Sequence, residues 1–199
     1  NGKTSVSDFF HQIFTLNNIP VGVLGTLGFK KNNNLKKREL TTLDSLNLHK
    51  DLEEMKKSKI DNVIIEASSH GLIQNRLDFL NIKSGIFTNL SHDHLDYHKN
   101  MKNYFSAKLI LFKKLLKKKS TIITDSEIKE YQVFKRLQKK RNLTLQSIGN
   151  YGNTFKILNH RILNNYQLIK ISHNKKIHNF KLNLIGSIQI KNLFMAILA

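Results

Sequence analysis

The chain has 199 residues, enough for one substantial domain with a small appended sheet. It contains no cysteine, which excludes disulfides and Cys-ligated zinc and suits a reducing compartment such as the cytoplasm; no apolar run reaches membrane-spanning length. The formal net charge of +19 would ordinarily point to an anionic partner, but the lysines are scattered among Asn and Ile. Only Lys117-Lys118-Lys119 and Lys139-Lys140-Arg141 form tight runs, and both close helical patterns, where cations complement the helix dipole. We therefore read the charge as solvated surface and expect neither nucleic acid nor membrane as a partner.

The chain opens on Asn1-Gly2-Lys3-Thr4-Ser5. This reads as the tail of a phosphate-binding loop: a glycine lets the backbone approach phosphate oxygens, a lysine meets their charge, and the next hydroxyl holds Mg²⁺. An amphipathic helix pattern follows to Leu16, with Phe9, Phe10, Ile13 and Phe14 as its apolar positions. On this reading the glycine-rich first half of such a loop and its strand are expected upstream, and the chain is expected to be a fragment. Val21 to Thr26 is a short buried-strand pattern, Lys30 to Arg38 a polar, basic loop, and Leu43 to Lys57 a helix.

Asn62-Val63-Ile64-Ile65 is an uninterrupted apolar strand ending at Glu66 and the loop Ala67-Ser68-Ser69-His70-Gly71. Ligands collect at the carboxyl ends of strands in open parallel sheets, so Glu66 is placed either to hold Mg²⁺ or to cap the next turn. Gly85 to Leu90 is a further strand, followed by Ser91-His92-Asp93-His94-Leu95-Asp96-Tyr97-His98. Three histidines and two aspartates in this run invite a zinc reading, but no cysteine and no His-Glu-x-x-His spacing accompanies them. Each histidine taken singly reads as a surface hydrogen-bonding residue, and the cluster as a site at a strand end.

Met101 to Lys118 reads as one helix with the stripe Tyr104/Phe105, Lys108/Leu109, Leu111/Phe112 and Leu115/Leu116. Lys108 falls inside that stripe. It is either a lysine snorkelling from the helix edge or a functional amine, partly desolvated and so more easily neutral. Thr121 to Thr124 is a strand, Ile128 to Lys140 a helix, and Leu143 to Ile148 a strand. The alternation indicates an α/β fold with a mostly parallel sheet covered on both faces. After Gly152 the segments from Phe155, Tyr166 and His178 form a small antiparallel sheet, and Gly186 to Ala199 closes the chain as a helix.

Four stretches occur in fixed order: Asn-Gly-Lys-Thr-Ser; Glu66-Ala-Ser-Ser-His-Gly-Leu with Gln74 and Arg76; Thr88-Asn-Leu-Ser-His-Asp-His-Leu-Asp-Tyr-His; and Tyr104-Phe-Ser-Ala-Lys-Leu-Ile-Leu-Phe. The series resembles the Mur ligases, and within them the branch that adds the third peptide residue to the peptidoglycan precursor. The resemblance runs from Asn1 to Ala199 and corresponds to the family's central ATP-binding domain. It implies flanking domains for the UDP-sugar and the incoming amino acid, and a fragment inactive alone.

The resemblance implies a P-loop-type fold and a cytoplasmic, monomeric enzyme. Its chemistry is ATP- and Mg²⁺-dependent: an amide bond joins a diamino acid to UDP-N-acetylmuramoyl-L-alanyl-D-glutamate through an acyl phosphate. Lys3 would contact the ATP phosphates within the loop Asn1, Gly2, Lys3, Thr4 and Ser5, and Thr4 would ligate Mg²⁺. Glu66 and His94 match metal-binding positions, and Lys108 matches a carbamylated lysine that helps hold a second Mg²⁺. Thr41, Thr42, Ser68, Gln74 and Arg76 match positions for the UDP-muramoyl-dipeptide, and Asn192 an asparagine beside the nucleotide base. The chain departs from the family at Leu43, where proline is usual, at His92, often arginine, and at Gly186-Ser-Ile-Gln189, usually Gly-x-Phe-Asn. The last departure bears on the adenine-side contacts. The rivals are a folylpolyglutamate synthetase-like ligase and, from a different class, a basic nucleic-acid-binding protein. Whether the added residue is meso-diaminopimelate or lysine is not written in this stretch.

Overall fold

The computed structural model describes residues 2–31, 34–36, 41–91 and 95–199. These divide into two compact units, one of residues 3–82 and 90–116 and the other of Gly2 with 83–89 and 117–199.

The first unit is built on a four-stranded sheet in the order β3-β2-β1-β4. Strand β1 (Val21–Gly25) pairs parallel with β4 (Asn62–Ile65) and antiparallel with β2 (Gly28–Lys31), which turns back into β3 (Asn34–Lys36). Helix α1 (Lys3–Leu16) packs on β1 and buries Val6, Ser7, Phe10 and His11, one face at helical spacing. Helix α2 (Ser45–Lys57) starts where Asp44 accepts from the Asn47 amide at 3.0 Å, and it ends in Lys56 and Lys57. Its Met55 is fully buried and lies so close to Gly22 that a side chain there would strike the Met55 sulfur. The short α3 (Ser69–Ile73) is capped by Ser68, and α4 (Leu95–His98) leads into α5 (Met101–Ile110), capped by Asn100.

Helix α5 does not run regularly to Lys118. It widens into a π-helical turn over Leu111–Leu115, closed by the Leu116 amide on the Leu111 carbonyl at 3.0 Å. The stretch from Lys30 to Arg38 is likewise not only a loop, since β2 and β3 fall partly within it. Each of these strands carries one large apolar residue, Phe29 or Leu35, too few to leave an apolar period to read.

The second unit holds a six-stranded sheet in the order β10-β9-β8-β7-β6-β5. Strands β5 (Ser84–Phe87), β6 (Thr121–Asp125) and β7 (Thr144–Gly149) are parallel. Strand β8 (Phe155–Ile162) pairs parallel with β7 at Ile148–Phe155 and Gly149–Lys156, across the short connection 150–154. The connecting loop is held by Asn153, which accepts from the Ser147 amide at 2.7 Å and donates to the Leu145 carbonyl at 2.7 Å. Strands β9 (Gln167–His173) and β10 (Lys176–Leu182) continue antiparallel from β8. The antiparallel strands expected near the end of the chain are thus joined edge to edge with the parallel ones. Helix α6 (Tyr131–Arg141) puts Phe134 4.8 Å from Phe87, and α7 (Ser187–Ile197) puts Phe194 5.3 Å from Phe155, so each helix closes apolar surface. Among the described residues no helix is long and apolar enough to cross a membrane.

Candidate active site

Strands β1 and β4 end side by side, and the pairing runs one step further: the Glu66 amide donates to the Leu24 carbonyl at 2.8 Å. This fixes the Glu66 backbone at the carboxyl end of the sheet and turns its side chain back over Gly25. A Cβ on Gly25 would overlap the carboxylate, so the absent side chain is what lets Glu66 lie there.

Glu66 is buried, with 3% of its surface exposed, yet it is surrounded by donors. Thr4 Oγ donates to its Oε2 at 2.9 Å and Thr26 Oγ to the same oxygen at 3.0 Å. The Thr26 amide lies 3.2 Å from Oε1. Burial of an acid is tolerable because each oxygen is met by a polar hydrogen. The Thr4 hydroxyl and the Glu66 carboxylate form an all-oxygen donor pair, the type that a hard divalent cation takes.

Thr4 is the second residue of α1, after Lys3, and both are half-buried. Ser7 Oγ donates to the Lys3 carbonyl at 3.0 Å and ties the first turn. Ser5 lies in the same turn, half-buried. Gly2 has φ +86°, a conformation that glycine adopts without strain. It groups with the second unit, where a Cβ on it would come within 3.0 Å of Asn192 Oδ1. Asn1 and His94 lie outside the described residues.

The positions matched to a sugar-peptide substrate converge on the other side of Glu66. Buried Thr42 donates to the Glu66 carbonyl at 2.8 Å and lies 3.0 Å from Ser68 Oγ. The Ser68 amide donates to Thr42 Oγ at 2.9 Å, and Ser68 Oγ accepts from the Gly71 amide at 3.0 Å, starting α3. Arg76 reaches the Thr42 carbonyl at 2.5 Å, and Thr41 lies 3.3 Å from Thr26. Gln74 caps the end of α3 and is exposed. One hydrogen-bonded web therefore runs from Thr4 through Glu66 and Thr42 to Ser68.

Lys108 is half-buried on α5, its Nζ 4.8 Å from the centre of the Tyr104 ring. Tyr104 in turn lies against His98, which is not a surface residue: it is 4% exposed, with Nε2 2.8 Å from Ser69 Oγ. The reading of His98 as a surface hydrogen-bonding side chain is overturned by this packing, which depends on contacts far apart in sequence. Among the described residues no group of three His, Cys, Asp or Glu side chains is placed to hold a metal.

In the second unit Asn192 is buried and lines a cavity of about 160 Å³ with Thr88, Asn89, Asp125, Ser187 and Lys191. Asn192 Nδ2 donates to Gln189 Oε1 at 3.1 Å. Lys191 Nζ donates to Asp125 Oδ2 at 2.6 Å and to Glu127 Oε2 at 2.8 Å. Burial pushes the Lys191 ammonium towards deprotonation, but hydrogen bonds and charge from Asp125 and Glu127 outweigh it, and the net direction is upward. The reading of the sequence did not single out Gly25, Thr26, Asp125 or Lys191. Gly25-Thr26 carried a usable signal, since it ends a strand of the same sheet as Glu66.

The Mur ligase middle-domain profile matches residues 1–199, the whole of the chain. The chain belongs to the Mur ligase family. A Mur ligase of Chelativorans sp. (strain BNC1), named UDP-N-acetylmuramoyl-L-alanyl-D-glutamate–2,6-diaminopimelate ligase, is 34% identical over 198 residues, covering 98% of this chain and 41% of the relative. A solved structure of the same name superposes with a TM-score of 0.87 at 26% identity, covering all of this chain and 40% of that one. The apo form of L. casei FPGS superposes at 0.74 with 12% identity over 100% of this chain and 54% of that one, a likeness of fold alone. The chain thus spans about two fifths of the length of these two diaminopimelate ligases.

Proposed function

We propose that this chain is the ATP-binding part of a UDP-N-acetylmuramoyl-tripeptide synthetase, which joins a diamino acid to UDP-N-acetylmuramoyl-L-alanyl-D-glutamate. The observation that supports the reading most is the 2.9 Å pairing of Thr4 with buried Glu66, a phosphate-loop hydroxyl on a strand-end carboxylate. The diaminopimelate in the relatives' names favours meso-diaminopimelate over lysine as the added residue.

In this reading Lys3 neutralises and orients the ATP phosphates, and the loop Asn1 to Ser5 receives them at the start of α1. Asn192 contacts the base. Thr41, Thr42, Ser68, Gln74 and Arg76 bind the UDP-sugar peptide, so that its carboxylate faces the γ-phosphate. Thr4, Glu66, His94 and carbamylated Lys108 would hold Mg²⁺, which supplies charge neutralisation where two anions meet. An oxygen of the substrate carboxylate bonds to the γ-phosphorus as the bond to ADP breaks. The amine of the incoming residue then bonds to the acyl carbon, phosphate leaves, and the amine proton passes to solvent or a base. A carbamate on Lys108 exchanges an ammonium for an anion and so suits a position that holds metal.

The test is made on the complete gene product with ATP, Mg²⁺, UDP-muramoyl-dipeptide and either diaminopimelate or lysine. ADP release coupled to a tripeptide product with diaminopimelate is the expected result. ADP release only with a folate acceptor, or none with any acceptor, would overturn the reading.

A further inference from the structure

We infer that His98 is a positioning residue that couples the Ser68-Ser69 loop to the helix carrying Lys108. The inference rests on the roles proposed above for Ser68 and Lys108.

His98 ends α4, in a polar stretch, yet it is almost wholly buried. A buried imidazole costs free energy unless its nitrogens and its ring faces are engaged. One side of this residue is a polar contact, Nε2 at 2.8 Å from Ser69 Oγ, and Ser69 is itself buried at the start of α3. The other side is a ring contact, with centroids 4.9 Å from Tyr104. Tyr97 meets the His98 ring edge-on at 5.0 Å, and His70 lies tilted to it at 5.5 Å, so the imidazole is held from several directions. His70 and Tyr97 also pack on each other at 4.0 Å, which ties the loop after β4 to the turn that bears His98.

These contacts form a sequence of neighbours. Thr42 touches Ser68, whose chain neighbour Ser69 meets His98; His98 lies on Tyr104, and Tyr104 supports Lys108 at 4.8 Å. Tyr104 and Lys108 are four residues apart on α5 and share a face, so what fixes the tyrosine ring limits the rotamers of the lysine. Two of the contacts of His98 differ in kind: a hydrogen bond to Ser69 and a ring surface, which meets Tyr104 on the helix as well as Tyr97 and His70. Removing the first should release Ser69 and with it the substrate side. Removing the second should release Tyr104 and with it Lys108.

Two near-isosteric variants of the complete enzyme separate these effects. His98→Phe keeps a ring and loses the hydrogen bond; His98→Gln keeps a polar group that can meet Ser69 and loses the ring. We expect His98→Phe to raise KM for the UDP-muramoyl-dipeptide about tenfold with kcat within about twofold of wild type. His98→Gln should lower kcat about tenfold with KM within about twofold. Tyr104→Leu should lower kcat as His98→Gln does, and the double variant should lose little more than either alone.

The same loss of the same parameter in both His98 variants would show a merely structural residue and overturn the inference, as would wild-type kinetics in both. Additive losses in the His98→Gln/Tyr104→Leu pair would do so too. Ser68→Ala, assayed alongside, separates this from the underlying reading. If it leaves KM unchanged, the loop is not the substrate site. The coupling to α5 is then decided by kcat of His98→Gln alone, which a wild-type value would overturn.

Discussion

Gly25 and Glu66 compete for one volume: the carboxylate of Glu66 lies where a side chain on Gly25 would begin. Gly25→Ala should therefore push Glu66 away from Thr4 and Thr26, whose hydroxyls now meet it at 2.9 and 3.0 Å. We expect a loss of about 1–3 kcal/mol of stability from overpacking at this site. Urea titration of this chain reads it directly, and an unchanged midpoint would mean that Glu66 is free to relocate.

Glu66→Gln tests charge without changing shape. The amide oxygen still accepts from the Thr4 and Thr26 hydroxyls, but the new NH2 faces the Thr26 amide that Oε1 now meets, so folding free energy should fall by about 1–3 kcal/mol. If Glu66 serves Mg²⁺ as proposed, turnover of the complete enzyme should fall by several powers of ten. The check is a rate profile against Mg²⁺ concentration. A profile identical to wild type would remove Glu66 from the metal site.

Lys108→Arg keeps a positive charge and cannot form a stable carbamate, so it should be nearly inactive. Lys108→Ala should be rescued in part by added acetate or formate, which would offer a carboxylate beside Tyr104. Wild-type activity in Lys108→Arg would end the carbamate assignment.

Lys191 offers a test by pH. Its ammonium titrates above the ordinary lysine range in the folded state, through its bonds to Asp125 and Glu127. A raised folded value means that the stabilisation is complete below the unfolded lysine value. It fades as pH rises through the folded one. The stability gap between the chain and its Lys191→Met variant should therefore be level around neutrality and shrink only in the alkaline range above about 10.4. Denaturant titration at a series of pH values follows the gap, and shrinkage already near neutral pH would contradict the triad.

Asn153→Ala leaves the catalytic apparatus alone and removes partners from the Ser147 amide and the Leu145 carbonyl. Ser147 is fully buried, so water cannot replace the lost bonds without opening the loop. A cost of about 2–3 kcal/mol is expected, measured by thermal or chemical unfolding.

The strands that position the site were legible as short apolar runs: Val21 to Gly25 is buried throughout, and Asn62 to Ile65, half-buried, ends at Glu66. Helices α1, α2 and α6 were legible by their period. The Glu66 environment was only half legible: its strand-end position could be read, but the Thr4 and Thr26 hydroxyls come from elements 62 and 40 residues away. His98 was misread for the same reason. A histidine surrounded by aspartates looks solvated until Ser69 and Tyr104 are brought to it by α3 and α5. The β2–β3 pair escaped because strands of four and three residues with one large apolar side chain each, Phe29 and Leu35, leave no periodicity of hydrophobicity to detect.

The wide turn at Leu111–Leu115 sets where the end of the helix faces. A π-turn holds one more residue than an α-turn, so the chain beyond it leaves at a different angle. It falls after Lys108, and the setting of that lysine relative to Tyr104 does not depend on it. The end of the helix does, and there Lys114 bonds Asn75 and Asp78 at 3.1 and 2.9 Å. Loss of one codon in this turn would rotate Lys114 off that loop by about 100° while leaving the lysine upstream in its place.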